Sequence, residues 1–400
     1  MNNSNNTNEL QTTNVEDATD QIVKLREVNG SSFDKILQHA VSIGARDIYI
    51  TSKDHIRVRV DNQRLVMTDR AFSHSEVSRL LESRIKTLDR VHKGRSTNPS
   101  YTLIPAADVN NGQNFRLSVT KFTISDEAYY NCAIRPLPLI PPSISDVGVT
   151  EEMAKFVGQL EKGLVLLIGA TGTGKTSTIA AIMRYILEFI PHKRIIEFSR
   201  PVENIWTRIN KHPTNQIVPH NIAEGQSGGD LISYEEAIST AMRQAADWIA
   251  VGEMTESESF EAAIEFSNTG HLVSSSMHAS DVASAYVRIY LKFDDKKRDA
   301  LIDSLISETE LLIAQILVDR IGGGMVAVRE VLMQTYSVKM ALKEAVGNAT
   351  NPLPALRAAI SKCLWEQGSS FYQNAEKLYN ANIISLEEFN KVEATFGKYG

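Results

Sequence analysis

Apolar and polar positions change rhythm twice along this chain of 400 residues, and the changes divide it. Residues 1–30 scatter few large apolar side chains among Asn, Thr, Asp and Glu, and an arm with so little to bury is expected to be disordered. At Ser31-Ser-Phe-Asp34 an N-cap pattern begins, after which Phe33, Ile36, Leu37, Ala40 and Val41 share one helical face. Two short strands are predicted next, over 47–51 and 56–60, the second alternating Ile-Arg-Val-Arg-Val before the turn Asp61-Asn62. A helix over 75–86 and strands over 101–103, 115–122 and 129–135 complete a small α+β domain, residues 31–135, of antiparallel character. Residues 136–145 are a linker. Its prolines, Pro136, Pro138, Pro141 and Pro142, stiffen the chain and block continued helix or sheet.

Beyond the linker, apolar runs of strand length alternate with helical patterns. Strands are predicted over 165–168, 194–198, 248–251 and 271–275. That alternation marks an α/β core, residues 146–280, with a largely parallel sheet covered on both faces. Residues 281–400 read as mainly helical, apart from a hairpin-like Ile321-Gly-Gly-Gly324 between apolar strands.

Composition adds boundaries. An apolar fraction of 42% and a charged fraction of 22% are those of a globular protein. The net charge of −6, with no interleaving of aromatic and basic residues, argues against direct nucleic-acid binding. No apolar run reaches the roughly 20 residues of a membrane span, and the first residues lack a signal peptide's basic and apolar regions. Cys132 and Cys363 are too few for a cysteine zinc cluster and fit a reducing compartment. A cytoplasmic protein is expected.

The chemistry is concentrated after residue 168. Gly169, Ala170, Thr171, Gly172, Thr173, Gly174, Lys175 and Thr176 match G-x-x-x-x-G-K-[ST], preceded by an apolar run and followed by a helix-prone segment from Ser177. In that context successive backbone N–H groups and a helix N-terminus face one oxyanion. Lys175 then reaches the β- and γ-phosphates and Thr176 ligates Mg²⁺. ATP and Mg²⁺ are the ligands implied. About eighty residues on, the apolar strand Trp248-Ile-Ala-Val-Gly-Glu253 ends in a carboxylate, placed to act on the attacking water and, through water, on Mg²⁺. Thr269-Gly270-His271 and Met277-His278 put one imidazole at each end of a further strand, with no additional ligands for zinc. Glu203 follows the turn Ser199-Arg200-Pro201, near the edge where ligands bind parallel sheets.

Together these motifs resemble the secretion (traffic) ATPases of type IV pili and of type II and type IV secretion, most nearly a PilT-like branch containing the DotB and TraJ ATPases. Ala45-Arg-Asp47, Phe115-Arg116-Leu, Ala133-Ile-Arg135, Gly322-Gly-Gly324 and Val326-Ala-Val-Arg329-Glu330 carry the similarity further. The resemblance implies a RecA-like P-loop domain preceded by a small PAS-like α+β domain and followed by a helical C-terminal region. It implies Glu253 as the Walker B glutamate, Glu203 as the second acid of an Asp box, and His271 and His278 as a His box. Arg116 and Arg135 match the arginines such proteins bring to the nucleotide from the N-terminal domain, while Arg243 stands where an arginine often precedes Walker B. The implied activity is that of a hexameric ATPase. It powers type IVB-like secretion or conjugative DNA transfer from the cytoplasmic side of the inner membrane, held there by a membrane complex.

This chain departs from the family pattern at Ser199, where an acid is usual, at Ser276-Met-His278-Ala279, and at Thr255-Glu256. Three other readings stay open: pilus retraction or assembly, a nucleic-acid motor of RecA-like fold, and a non-hydrolysing assembly factor, which Ser199 alone supports.

Overall fold

The computed structural model describes residues 28, 30–60, 63–85, 88–94, 96–104, 112–138, 140–222, 230–294, 296–347 and 352–397. The arm expected over residues 1–30 lies outside them except for Val28 and Gly30, and Gly30 already opens the first helix. The chain forms two units, residues 1–137 and 138–400.

In the first unit α1 (Gly30–Ser42) and α2 (His74–Glu82) pack on one face of an antiparallel sheet. Its strands are β1 (Ala45–Thr51), β2 (Arg57–Val60), β3 (Gln63–Val66), β4 (Ser100–Leu103), β5 (Gln113–Ile124) and β6 (Glu127–Pro136), in the order β3-β2-β1-β6-β5-β4. Alternation decides what faces the helices. Ile48, Val58, Leu117 and Ile134 are buried with Ile36, Leu37, Leu80 and Leu81, while Arg59, Arg116 and Arg135 point away and are exposed. A capping box starts α2: Ser73 and Glu76 exchange hydrogen bonds. Arg70 pairs with Glu76 at 2.7 Å and holds its carboxyl down at about 2. A short helix, α3 (Leu88–His92), follows.

The second unit is built on β7 (Gly163–Ile168), whose six residues are all buried. Leu164, Leu166 and Ile168 enter one core and Val165 and Leu167 the other, so the strand is wetted on neither face. Around it lie β8 (Arg194–Ser199), β9 (Gln216–Asn221), β10 (Trp248–Glu253), β11 (Leu272–Met277), β12 (Thr309–Asp319) and β13 (Met325–Met333). The order is β13-β12-β7-β11-β10-β8-β9, all parallel except the β12–β13 hairpin. Helices α4 (Glu151–Gln159) and α5 (Lys175–Phe189) cover one face. On the other lie α6 (Tyr234–Ala241), α7 (Ser257–Asn268), α8 (Val282–Lys292), α9 (Arg298–Glu308), α10 (Tyr336–Gly347), α11 (Pro352–Glu366), α12 (Phe371–Asn380) and α13 (Leu386–Phe396).

Two expectations need correction. The sheet does not end near residue 280: β12 and β13, of 11 and 9 residues, extend it, so the region 281–400 is helical around a strand pair that belongs to the core. Two edge strands, β3 and β9, went unforeseen. Glu330 of β13 is buried between two helix starts, accepting hydrogen bonds from the backbone N–H of Val282 at 2.9 Å and of Phe371. Burial raises its carboxyl to about 7 against the pull of those bonds. Cys132 and Cys363 are free and buried. No helix among the described residues is long and apolar enough to cross a membrane.

Because β7 is packed from both sides, Leu166→Ala should cost about 2–5 kcal/mol. All three tryptophans, Trp206, Trp248 and Trp365, lie in the second unit. Denaturant unfolding followed by their fluorescence should show the loss as a lower midpoint. A midpoint equal to that of the parent would contradict the buried placement of β7.

Candidate functional site

The Gly-rich loop leaves the C-terminal end of β7 and turns directly into α5. Gly174 caps the helix in the left-handed region, φ 84°, which a side chain rarely adopts. At Gly169 a Cβ would lie 2.6 Å from both the Gln315 carbonyl oxygen and Thr173 Oγ1, so only glycine fits there. The loop is braced internally by Thr173 Oγ1, which donates to the Ala170 carbonyl at 2.9 Å. Lys175 is 7% exposed and folds back on the loop, its Nζ donating to the carbonyls of Gly169 at 2.7 Å and Ala170 at 2.9 Å. Burial lowers its pKa, and the charge of Glu253 pulls the other way. Thr176 and Ser177 are exposed on the first turn of α5.

β11 separates the loop strand from β10, so Glu253 starts about 10 Å from β7 across the sheet. His278, at the end of β11, closes the interval. Its Nε2 lies 2.9 Å from Glu253 Oε1, and its Nδ1 lies 3.2 Å from the Gly169 carbonyl and 3.4 Å from Lys175 Nζ. A neutral ring can donate to only one of these acceptors, while an imidazolium can donate to both. The end of β10 is fixed independently. Ser276 Oγ donates to the Gly252 carbonyl at 2.9 Å, and the Tyr234 hydroxyl accepts from the Glu253 backbone.

Other sequence-based candidates fall elsewhere. His271 is at the opposite end of β11, roughly 20 Å of strand away, near Thr269 Oγ1 at 3.1 Å and against the Phe266 ring. The structure therefore separates it from the Lys175, Glu253 and His278 cluster. Glu203 follows β8, at the same sheet edge as the loop but three strands from β7. Ser199 turns back to donate to Glu197 at 2.7 Å, and Trp206 Nε1 donates to the same carboxylate at 2.5 Å. Glu197 is buried, and desolvation raises its pKa although both donors lower it, with the charge of Glu203 adding to the rise. The serine at 199 thus caps a buried acid. Arg116 and Arg135 are opposite one another on β5 and β6 of the first unit. Arg135 is pinned to Asp47 by Nε and Nη2, both at 2.8 Å from Oδ1. Arg243 is exposed in the turn after α6.

The residues fit a nucleotide with Mg²⁺. The loop excludes a Cβ where it must curl, and Lys175 is desolvated with its donors on backbone carbonyls that an oxyanion can replace. No cluster of three or more His, Cys, Asp or Glu among the described residues would hold a metal by itself. Mg²⁺ suits such a site because it takes few protein ligands and leans on substrate phosphates. Thr176 and Glu253 are the groups available to it.

A largely parallel sheet with a glycine loop on an interior strand, and a carboxylate two strands away, is the arrangement of a RecA-like P-loop domain. Sequence comparison narrows the class. The family described as Type II/IV secretion system protein matches residues 25–380, and the chain belongs to it. Over 211 residues it is 31% identical to the type IV pilus retraction ATPase PilT of Pseudomonas aeruginosa, an alignment covering 52% of this chain and 58% of that one. The crystal structure of the Legionella pneumophila ATPase DotB superposes with a TM-score of 0.76 at 23% identity, covering 94% of this chain and all of that one. The pilus retraction motor PilT with bound ADP gives 0.75 at 25% identity, covering 90% and 96%.

Replacing Lys175 with Ala removes two charged hydrogen-bond positions. Binding of Mg·ADP should weaken about 100-fold with the circular dichroism spectrum unchanged. Affinity kept within a factor of two would remove Lys175 from the site.

Proposed function

We propose that this ATPase is a ring-forming, hexameric motor. It drives type IVB-like secretion or conjugative transfer from the cytoplasmic side of an inner membrane, docked on a membrane complex. The observation that carries the hydrolytic part is His278, which ties Glu253 to the loop that holds Lys175. Family membership and the fold shared with DotB support the transport part.

Hydrolysis follows from these residues. The N–H groups of the loop and the start of α5 bind the β- and γ-phosphates, and Lys175 exchanges the Gly169 and Ala170 carbonyls for phosphate oxygens. Thr176 and Glu253 would hold Mg²⁺, which when bound draws negative charge from the phosphate oxygens. Glu253, its other side fixed by His278, orients a water and accepts its proton as the oxygen attacks the γ-phosphorus and the bond to the ADP oxygen breaks. Glu203 adds a second acid at the same edge. Arg116 and Arg135 supply positive charge to the transferring group from a neighbouring subunit.

The 31% identity to PilT favours a second reading, pilus retraction. Gene neighbourhood separates the two: secretion or conjugation genes beside this one support the first, and pilin genes support the second.

Glu253→Gln should lower kcat by about 100-fold or more while Mg·ATP still binds. Undiminished turnover would end the assignment of Glu253 as base. If the arginines act in trans, neither Arg116→Ala nor Glu253→Gln rings should turn over, yet mixed rings should regain part of the activity. Verified mixed rings that stay inactive would confine Arg116 to its own subunit or to another task.

A further inference from the structure

Arg329 and Gln315 are register partners on β13 and β12, and both are buried, at 8% and 1% exposure. Neither belongs to the cluster of Lys175, Glu253 and His278. Arg329 spends its donors on uncharged oxygens. Its Nε donates to Gln315 Oε1 at 3.2 Å, its Nη1 to the Gly148 carbonyl at 2.8 Å, and its Nη2 to the Val147 carbonyl and to Thr178 Oγ1 at 3.3 Å. Burial without a neutralising acid lowers its pKa to about 10. Burying a guanidinium among dipoles alone is costly, and the contacts it makes reach three separate segments.

Gln315 continues the chain of contacts into the phosphate loop. Its Oε1 accepts from Thr178 Oγ1 at 2.9 Å, and its Nε2 donates to the Thr173 carbonyl at 2.5 Å. A trans peptide unit is planar, so its C=O and the following N–H point in opposite directions. Holding the Thr173 carbonyl against Gln315 therefore aims the Gly174 N–H away from β12. At the far side of the network, Val147 and Gly148 lie in the turn that precedes α4, shortly after Pro141 and Pro142. Pro141 is itself held to α5 by Arg184 Nη1, which donates to its carbonyl at 2.7 Å.

We propose that Arg329, acting through Gln315, is a positioning residue for the phosphate loop, and that the same guanidinium couples loop occupancy to residues 143–150. The proposal rests on the loop being the nucleotide site. Arg329 sets the Gln315 amide so that its oxygen faces the guanidinium and Thr178 and its nitrogen faces Thr173. A nucleotide that orders the loop then orders the turn at Val147 and Gly148 through the same side chains.

Gln315→Glu tests the first step, because a carboxylate still accepts from Arg329 and Thr178 but has no donor for Thr173. Its thermal midpoint should equal or exceed that of the parent, while the Kd for Mg·ADP, from titration of a fluorescent ADP analogue, should rise about 10-fold. Unchanged affinity would overturn the positioning role, since a merely structural Gln315 predicts no loss from a variant that is equally stable. Hydrogen exchange of the peptide covering residues 143–154 tests the second step. Mg·ADP should slow it in the parent and in Arg329→Lys, which keeps a donor for the carbonyls, and should leave it unchanged in Arg329→Met. Equal protection in the Met variant, or none in the parent, would overturn the coupling. A parent chain that binds no Mg·ADP at all would instead remove the nucleotide site, and this inference with it.

Discussion

β7 lies between β11 and β12 with all six residues buried, so each of its backbone polar groups must be met by a neighbouring strand. Parallel pairing on both sides satisfies that demand, and it forces the connecting helices onto the two faces. The C-terminal ends of β7, β8, β10 and β11 are thereby gathered at one edge. The glycine loop, Glu253 and His278 meet there, and Glu203 lies along the same edge, three strands from β7. The distance between β7 and β10 is also a consequence of this order, since β11 fills the gap. An imidazole at the end of β11 is long enough to touch both neighbours, which a serine or alanine there would not be.

The loop was legible in the chain because every determinant is local: an apolar strand, glycines where the backbone must curl, and a helix directly after. Glu253 and His278 were legible as residues, but their junction was not, for it depends on a strand order that no local pattern encodes. His271 shows the same limit from the other side. It lies on the same strand as His278, but strand geometry sends it to the far edge. β12 was legible as one of the apolar strands flanking the glycine turn, but its parallel pairing with β7, far away in sequence, was not, because no local pattern encodes it. β3 and β9 are edge strands with weak alternation, and β9 contains Pro219, which an edge strand tolerates.

The first unit concentrates positive charge by the same logic of register. Arg64, Arg59, Asp47, Arg135 and Arg116 form a row across β3, β2, β1, β6 and β5. Asp47 is buried beneath the row, within 2.8 Å of Arg135 and 3.9 Å of Arg59. A single acid among several guanidiniums cannot neutralise the row, but it fixes the direction of the arginine it holds most closely.

Arg329 and Glu330 are consecutive residues of β13, so their side chains leave opposite faces of the sheet. Arg329 enters the side of α5 and the phosphate loop, and Glu330 enters the side of α8 and α12. The hairpin turn Gly322-Gly-Gly324 holds its three glycines at positive φ and is closed by hydrogen bonds between Arg320 and Gly323 and Gly324. A slip of one residue along β12 would turn the carboxylate toward the uncharged oxygens that Arg329 now meets and the guanidinium toward two helix N-termini, and neither would keep its present partners. The two buried side chains therefore fit one alignment of the hairpin. They favour that alignment over its one-residue slip at the edge of the sheet where the chain turns antiparallel.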